Sequence, residues 1–213
     1  MDRAIGASPI QARDLLRNGD LALYEAKKAG RGRYRVFESG MDALLLKRRE
    51  MEIDLRRALA LKQFKLNYQP FFNVTTNKVD GFEALLRWEH PVKGNIPPLS
   101  FVSLAEENGL IVKIGEWVIR TACVEAMTWP GEMVVAVNVS PLQFKADTLL
   151  ETVASALQRS GLPAYRLEIE ITEGALLDDT DNVIQTLNAL RDLGVKISMD
   201  DFGTGYSSLS YLQ

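Results

Sequence analysis

The sequence is poor in the residues that staple, anchor or strongly charge a chain. Its 213 residues hold one cysteine, Cys123, and one histidine, His90. A lone cysteine excludes an internal disulfide and suits a reducing compartment. The apolar, helix-like stretch around Cys123, from Trp117 to Trp129, predicts a buried and inert thiol. No apolar run approaches the roughly 20 residues that a membrane helix needs. Met1-Asp2-Arg3-Ala4 opens no apolar signal core. Twenty-five basic residues face 28 acidic ones, a net charge of -3, so no basic field points to a nucleic acid polymer or an anionic membrane. The expected compartment is the cytoplasm, with any membrane anchor lying upstream. What the chain does have is ordinary for a soluble globular protein: 46% hydrophobic and 25% charged residues. Its length suits one large domain, or one domain and a fragment.

Residues 8 to 37 differ in style from the rest. Ala12 to Lys28 reads as a helix with Leu15, Leu16, Leu21, Leu23 and Ala26 as its apolar positions. Gly30-Arg31-Gly32 ends it, and Tyr34 to Phe37 is a strand-like run. A helix and a short strand bury too little for a core, so the segment reads as the end of another domain. Residues 41 to 61 form a charged amphipathic helix with Leu44, Leu45, Met51, Leu55 and Leu59 on its apolar side. It is a connecting helix packed on the next domain, or an interdomain signalling linker. From residue 64 the pattern changes. Lys65 to Phe72 and Val79 to Trp88 are strands joined by a short turn, hence antiparallel neighbours. A helix that Ser100 would cap follows Pro97-Pro98 and ends at Gly109, and another runs from about Val112 to Thr128. Strands at Met133–Val139, Arg166–Ile171 and Val195–Met199 then alternate with helices at about 147 to 159 and 180 to 192. Such alternation predicts a parallel sheet with right-handed crossovers, five strands in all.

In parallel α/β folds reactive groups collect at the C-terminal ends of strands, and the polar residues here follow that rule. Glu83 interrupts an apolar strand, and Asn138 ends Val134-Val135-Ala136-Val137. Glu168 and Glu170 lie along the next strand, with Glu173 just beyond; Asp200-Asp201 follows Ile197-Ser198-Met199. Singly, each has a plain explanation as a turn cap or a solvent-facing side chain. Together they do not, because neighbouring desolvated carboxylates cost several kcal/mol unless a cation or donor compensates. Oxygen ligands without nearby Cys or His favour a hard ion, Mg²⁺ or Mn²⁺, over zinc. The loop Asp201-Phe202-Gly203-Thr204-Gly205-Tyr206-Ser207-Ser208 adds glycine freedom and hydroxyl donors where a phosphate would sit.

These residues carry a resemblance. Glu83-Ala84-Leu85-Leu86-Arg87-Trp88 resembles the signature of EAL domains, the cyclic-di-GMP phosphodiesterases. Tyr68-Gln69-Pro70, Val137-Asn138-Val139-Ser140, Glu170-Ile171-Thr172-Glu173 and the run from Asp200 to Leu212 agree in order and spacing over about residues 45 to 213. The resemblance implies a (β/α)₈ TIM-type barrel whose first strand is antiparallel. It implies cleavage of cyclic di-GMP to linear pGpG with Mg²⁺ or Mn²⁺, two ions in a complete domain. Glu83, Asn138, Glu170, Asp200 and Asp201 would be metal ligands, and Glu173 would anchor the glycine-rich loop. Gln69 and Arg87 would contact the nucleotide, Arg87 through a phosphate oxygen. EAL domains also commonly form homodimers. Upstream, Asp20 to Lys28 with Gly30-Arg31-Gly32-Arg33-Tyr34 resembles the end of a GGDEF diguanylate cyclase domain, without its signature loop.

The expected organisation is therefore a GGDEF remnant at 1–38, a linker helix at 39–61 and the first part of an EAL domain at 62–213. The family's pattern continues with a strand bearing a lysine, then a strand-end glutamate and a glutamine. The expectation is an incomplete barrel from a longer chain with GGDEF and sensory domains upstream. The 213 residues alone should then be poorly soluble and show negligible activity. Two alternatives stay open: a degenerate EAL domain that binds cyclic di-GMP without cutting it, and an unrelated metal-dependent barrel doing enolate chemistry.

Overall fold

The computed structural model of the chain describes residues 12–28, 32, 34–38, 40–172 and 180–200. They divide into two compact units, Met1–Ile53 and Asp54–Gln213. The first holds α1 (Ala12–Lys28) and the start of α2 (Met41–Ala58). The second continues with β1 (Phe64–Asn73), β2 (Lys78–His90), β3 (Gly94–Ile96), α3 (Pro98–Glu107), α4 (Leu110–Ala126) and β4 (Val134–Val139). It goes on through α5 (Pro141–Lys145), α6 (Leu149–Ser160), a 3₁₀ turn (Ala164–Arg166), β5 (Leu167–Thr172), α7 (Thr180–Asp192) and β6 (Lys196–Asp200). Among these residues no helix is long and apolar enough to cross a membrane.

One sheet organises the second unit, in the order β1-β2-β4-β5-β6 with β3 on β2. β1 and β2 are antiparallel; β2, β4, β5 and β6 run parallel. This is an α/β arrangement consistent with a TIM-like barrel. The hairpin turn is built by Asn73, whose Oδ1 accepts from the amides of Thr75 (3.1 Å) and Thr76 (3.0 Å). Where β2 starts against β4, Gly81 permits close approach: a Cβ there would lie 2.2 Å from the Val134 carbonyl oxygen and 2.5 Å from the Phe71 ring.

The two faces of the sheet differ in chemistry, as period-2 alternation demands. Val135, Val137, Val139, Leu167, Ile169 and Ile171 point to the helical side and are fully or almost fully buried. There α4 packs on β4 and α6, presenting Ile114, Val118, Ile119, Ala122, Cys123 and Ala126. Trp88, Phe64 and Phe101 stack at one end of this core, and Trp88 Nε1 donates to Gln63 Oε1 (3.0 Å). Cys123 is buried as expected, and burial pushes its thiol pKa up to about 12. The opposite face carries Gln69, Glu83, Asn138, Glu168, Glu170, Ser198 and Asp200 in register.

Several expectations are corrected. Among the described residues the sheet has six strands, because Gly94–Ile96 turns back on β2 through Trp88 and Ile96. Ser100 does not cap α3; the helix starts at Pro98 with Pro97 as N-cap and no side-chain cap bond. Proline's fixed φ and missing N–H make it a natural helix start two residues earlier. A short helix, α5, follows β4 directly, capped by Ser140. Residues 34–38 form no strand, and Tyr34 and Val36 are 86% and 68% exposed. In α1 Ala26 is buried as expected and Ala22 joins it, whereas Leu15, Leu16 and Leu23 are exposed. Helical periodicity marks a stripe but does not say what covers it.

Gly81→Ala should lower the unfolding free energy by about 1–3 kcal/mol, since overpacking here meets backbone. Urea denaturation followed by circular dichroism measures it; an unchanged midpoint would contradict the close approach of β2 and β4.

Candidate functional site

The register of the parallel strands sets the site. Glu83 pairs with Ala136, so Asn138 lies two residues further along β4. Asn138 pairs with Glu170, and Glu170 with Ser198, so Asp200 lies two residues beyond that row. All four side chains share the face opposite the helices. Tilted strands of a barrel need such an offset to bring groups from successive strands to one level. Gln69 joins them from β1, directly opposite Glu83.

One contact ties the strands together: Asn138 Nδ2 donates to Glu83 Oε1 at 2.7 Å. Gln69, Glu83 and Glu170 line a cavity of about 180 Å³ with Glu168, Pro70 and Phe71. Arg87, four residues past Glu83 on β2, lines a separate cavity of about 280 Å³ together with Asn138 and Thr172. Its Nη1 donates to the Leu86 carbonyl (2.9 Å). The structure thus brings Gln69, Glu83 and Glu170 together, and Arg87 with Asn138, with the Asn138–Glu83 bond joining the two cavities. Asp200 is exposed at the end of β6. Asp201 and Glu173 lie outside the described residues. Glu168, not among the expected ligands, belongs to the same cavity; its two-residue spacing from Glu170 on one strand is the signal in the sequence.

The electrostatics centre on Glu170. Burial pushes its pKa up to about 7, with the charges of Glu83, Asp200 and Glu168 adding to the shift. Its Oε2 is buried with no hydrogen-bond partner, and so is the hydroxyl of Ser198 beside it on β6. Two adjacent buried oxygens without donors fit a cation and its water shell, and the all-oxygen set fits a hard one. Among the described residues, no three acidic, histidine or cysteine side chains close around a common point. The candidate oxygen ligands among the described residues are Glu83, the Asn138 amide, Glu170 and Asp200, spread over four strands.

A family model described as the EAL domain matches residues 52–213. The bifunctional diguanylate cyclase/cyclic di-GMP phosphodiesterase MucR of Pseudomonas aeruginosa is 45% identical over 204 residues, 94% of this chain and 30% of that protein. The cyclic di-GMP phosphodiesterase NbdA of the same organism is 41% identical over 207 residues, 95% of this chain and 26% of that protein. The chain spans about a quarter of the length of the two relatives that match at 48% identity. Among solved structures, the MucR phosphodiesterase in complex with c-di-GMP superposes with a TM-score of 0.72 at 46% identity, covering 76% of this chain and 68% of that one.

Glu170→Gln tests the electrostatic account. Glu170's folded pKa is raised above its unfolded value, so between about pH 4.5 and 7 the folded state holds the extra proton and stability falls as pH rises. In chelator, Glu170→Gln should therefore be the more stable at pH 8, by roughly 1–2 kcal/mol after discounting for solvent screening. At pH 4 it should match the parent. Equal denaturation midpoints at pH 8 would contradict a strained carboxylate.

Proposed function

This chain belongs to the EAL domain family, and from that premise we propose that its second unit carries the metal and phosphate ligands of a cyclic-di-GMP phosphodiesterase. The observation that supports this best is Glu170: a half-buried carboxylate whose Oε2 is buried without a donor, facing Glu83 and Asp200, while Asn138 grips Glu83. In this reading Glu83, Asn138, Glu170, Asp200 and Asp201 hold Mg²⁺ or Mn²⁺. Such ions would withdraw charge from a phosphodiester and lower the pKa of water. Asn138 fixes the orientation of the Glu83 carboxylate through its 2.7 Å bond. Arg87 presents a planar guanidinium to a phosphate oxygen at the mouth of its cavity. Gln69, opposite Glu83, contacts the nucleotide from the hairpin side. Glu173 anchors the glycine-rich loop that follows Asp201. The reaction opens one phosphodiester of the ring with water, giving linear pGpG.

The whole protein's activity is part of the proposal. We read residues 1–38 as the end of a GGDEF domain, 39–61 as the linker helix and 62–213 as EAL, in a protein with a sensory input and an EAL homodimer. In this reading the 213 residues bind the ion and the nucleotide. The alternative is a non-catalytic, cyclic-di-GMP-binding regulatory module.

Calorimetry with purified chain should show Mn²⁺ binding that Glu83→Gln and Glu170→Gln each weaken by more than about tenfold. Cyclic di-GMP should bind in the presence of Mn²⁺, and Arg87→Ala should weaken it about 10- to 100-fold, the range for hydrogen bonds to charged groups. Nucleotide binding that ignores Mn²⁺ and both glutamate variants would favour the regulatory module. No cyclic di-GMP binding under any condition would sink both readings.

A further inference from the structure

Glu106 lies outside all of the motifs named above. It occupies the last turn of α3, where a carboxylate faces the negative end of the helix dipole and no basic residue offsets it. Helix stability does not explain it there. Its Oε1 accepts a 2.8 Å hydrogen bond from Ser140 Oγ. Ser140 lies two residues past Asn138 and is the N-cap of α5.

Ser140 is held from every side. Its Oγ accepts from the Leu142 amide (3.4 Å), and its own amide donates to Gln143 Oε1 (3.1 Å), completing a capping box. Gln143 is 4% exposed, and its side chain fills the space over Gly115, where an added Cβ would sit 2.2 Å from the amide nitrogen. The cap itself needs only Ser140 and Gln143. Glu106 adds something else, since it takes the one hydroxyl proton the cap leaves over and so ties α3 to the end of β4. Glu106, Ser140 and Gln143 also line the cavity that holds Arg87 and Asn138.

We infer that Glu106 is a positioning residue for the site: through Ser140 it locks the β4–α5 turn, and so the strand end that aims Asn138 at Glu83. The inference rests on the proposed metal site for the importance of that aim. The bond itself can also be followed without metal.

The test uses the 213-residue chain and four variants: Glu106→Leu, Ser140→Ala, their double, and Glu106→Gln. Mn²⁺ titration by electron paramagnetic resonance reads affinity, and proton NMR reads exchange of the Asn138 side-chain amide. Circular dichroism melts confine comparison to folded variants. Glu106→Leu and Ser140→Ala should each weaken Mn²⁺ binding by about tenfold, as loss of a group that orients a ligand does. The double should be no worse than the weaker single, because both cut the same link. Glu106→Gln should stay close to the parent, its amide oxygen still accepting from Ser140. Asn138 amide exchange should speed up in the two single variants and not in Glu106→Gln. Additive losses, a Glu106→Gln as weak as Glu106→Leu, or unchanged Asn138 exchange in Glu106→Leu would overturn the inference. A parent that binds no Mn²⁺ would overturn the metal reading and the role given to Glu106 in it, while the exchange data would still decide whether Glu106 sets the Asn138 bond.

Discussion

Glu170 is a carboxylate placed where burial penalises its charge and no donor meets its second oxygen. Glu83 and Asp200 make the position worse rather than better, since each adds charge of the same sign. A folded chain keeps such an arrangement only when something compensates it. Much of the second unit can be understood as the frame that holds this group. The apolar side of β4 and β5 anchors the sheet on the helices, which leaves the opposite side free for polar residues. The hairpin of β1 and β2 then brings Glu83 and Gln69 alongside.

The hydrogen bond from Asn138 to Glu83 shows how the frame acts on the site. An amide has a donor as well as an acceptor, so Asn138 can grip a carboxylate and still present an oxygen. That dual capacity is a physical reason for an amide in an otherwise anionic row. The same logic extends outward to the β4–α5 turn, where a serine hydroxyl uses its donor and acceptor capacity at once. Side-chain bonds thus supplement the ladder at the strand ends.

Much of this was legible in the residues. Five of the six strands and the antiparallel first pair follow from alternation, from the Asn73–Asn77 turn and from the run of β and α segments. The strand-end oxygens at Glu83, Asn138, Glu170 and Asp200 stood out because each interrupts or ends an apolar run. What escaped depends on tertiary context. Three residues at Gly94–Ile96 are too short for a period to show, and their pairing with β2 is decided by Trp88 and Ile96. Leu15, Leu16 and Leu23 carry helical spacing yet are exposed. Glu106 is 34 residues from Ser140, so no local pattern could link them. The division of the site into two cavities is equally a matter of packing, because Arg87 and Glu83 lie on the same strand.

Diffraction from crystals of the chain grown with Mn²⁺, collected at the manganese absorption edge, tests the central claim most directly. The account predicts an anomalous peak at coordination distance from Glu170 Oε2, with Glu83 and Asn138 around it. Ordered crystals with no peak there, or with Glu170 turned out to solvent and manganese bound elsewhere, would contradict it.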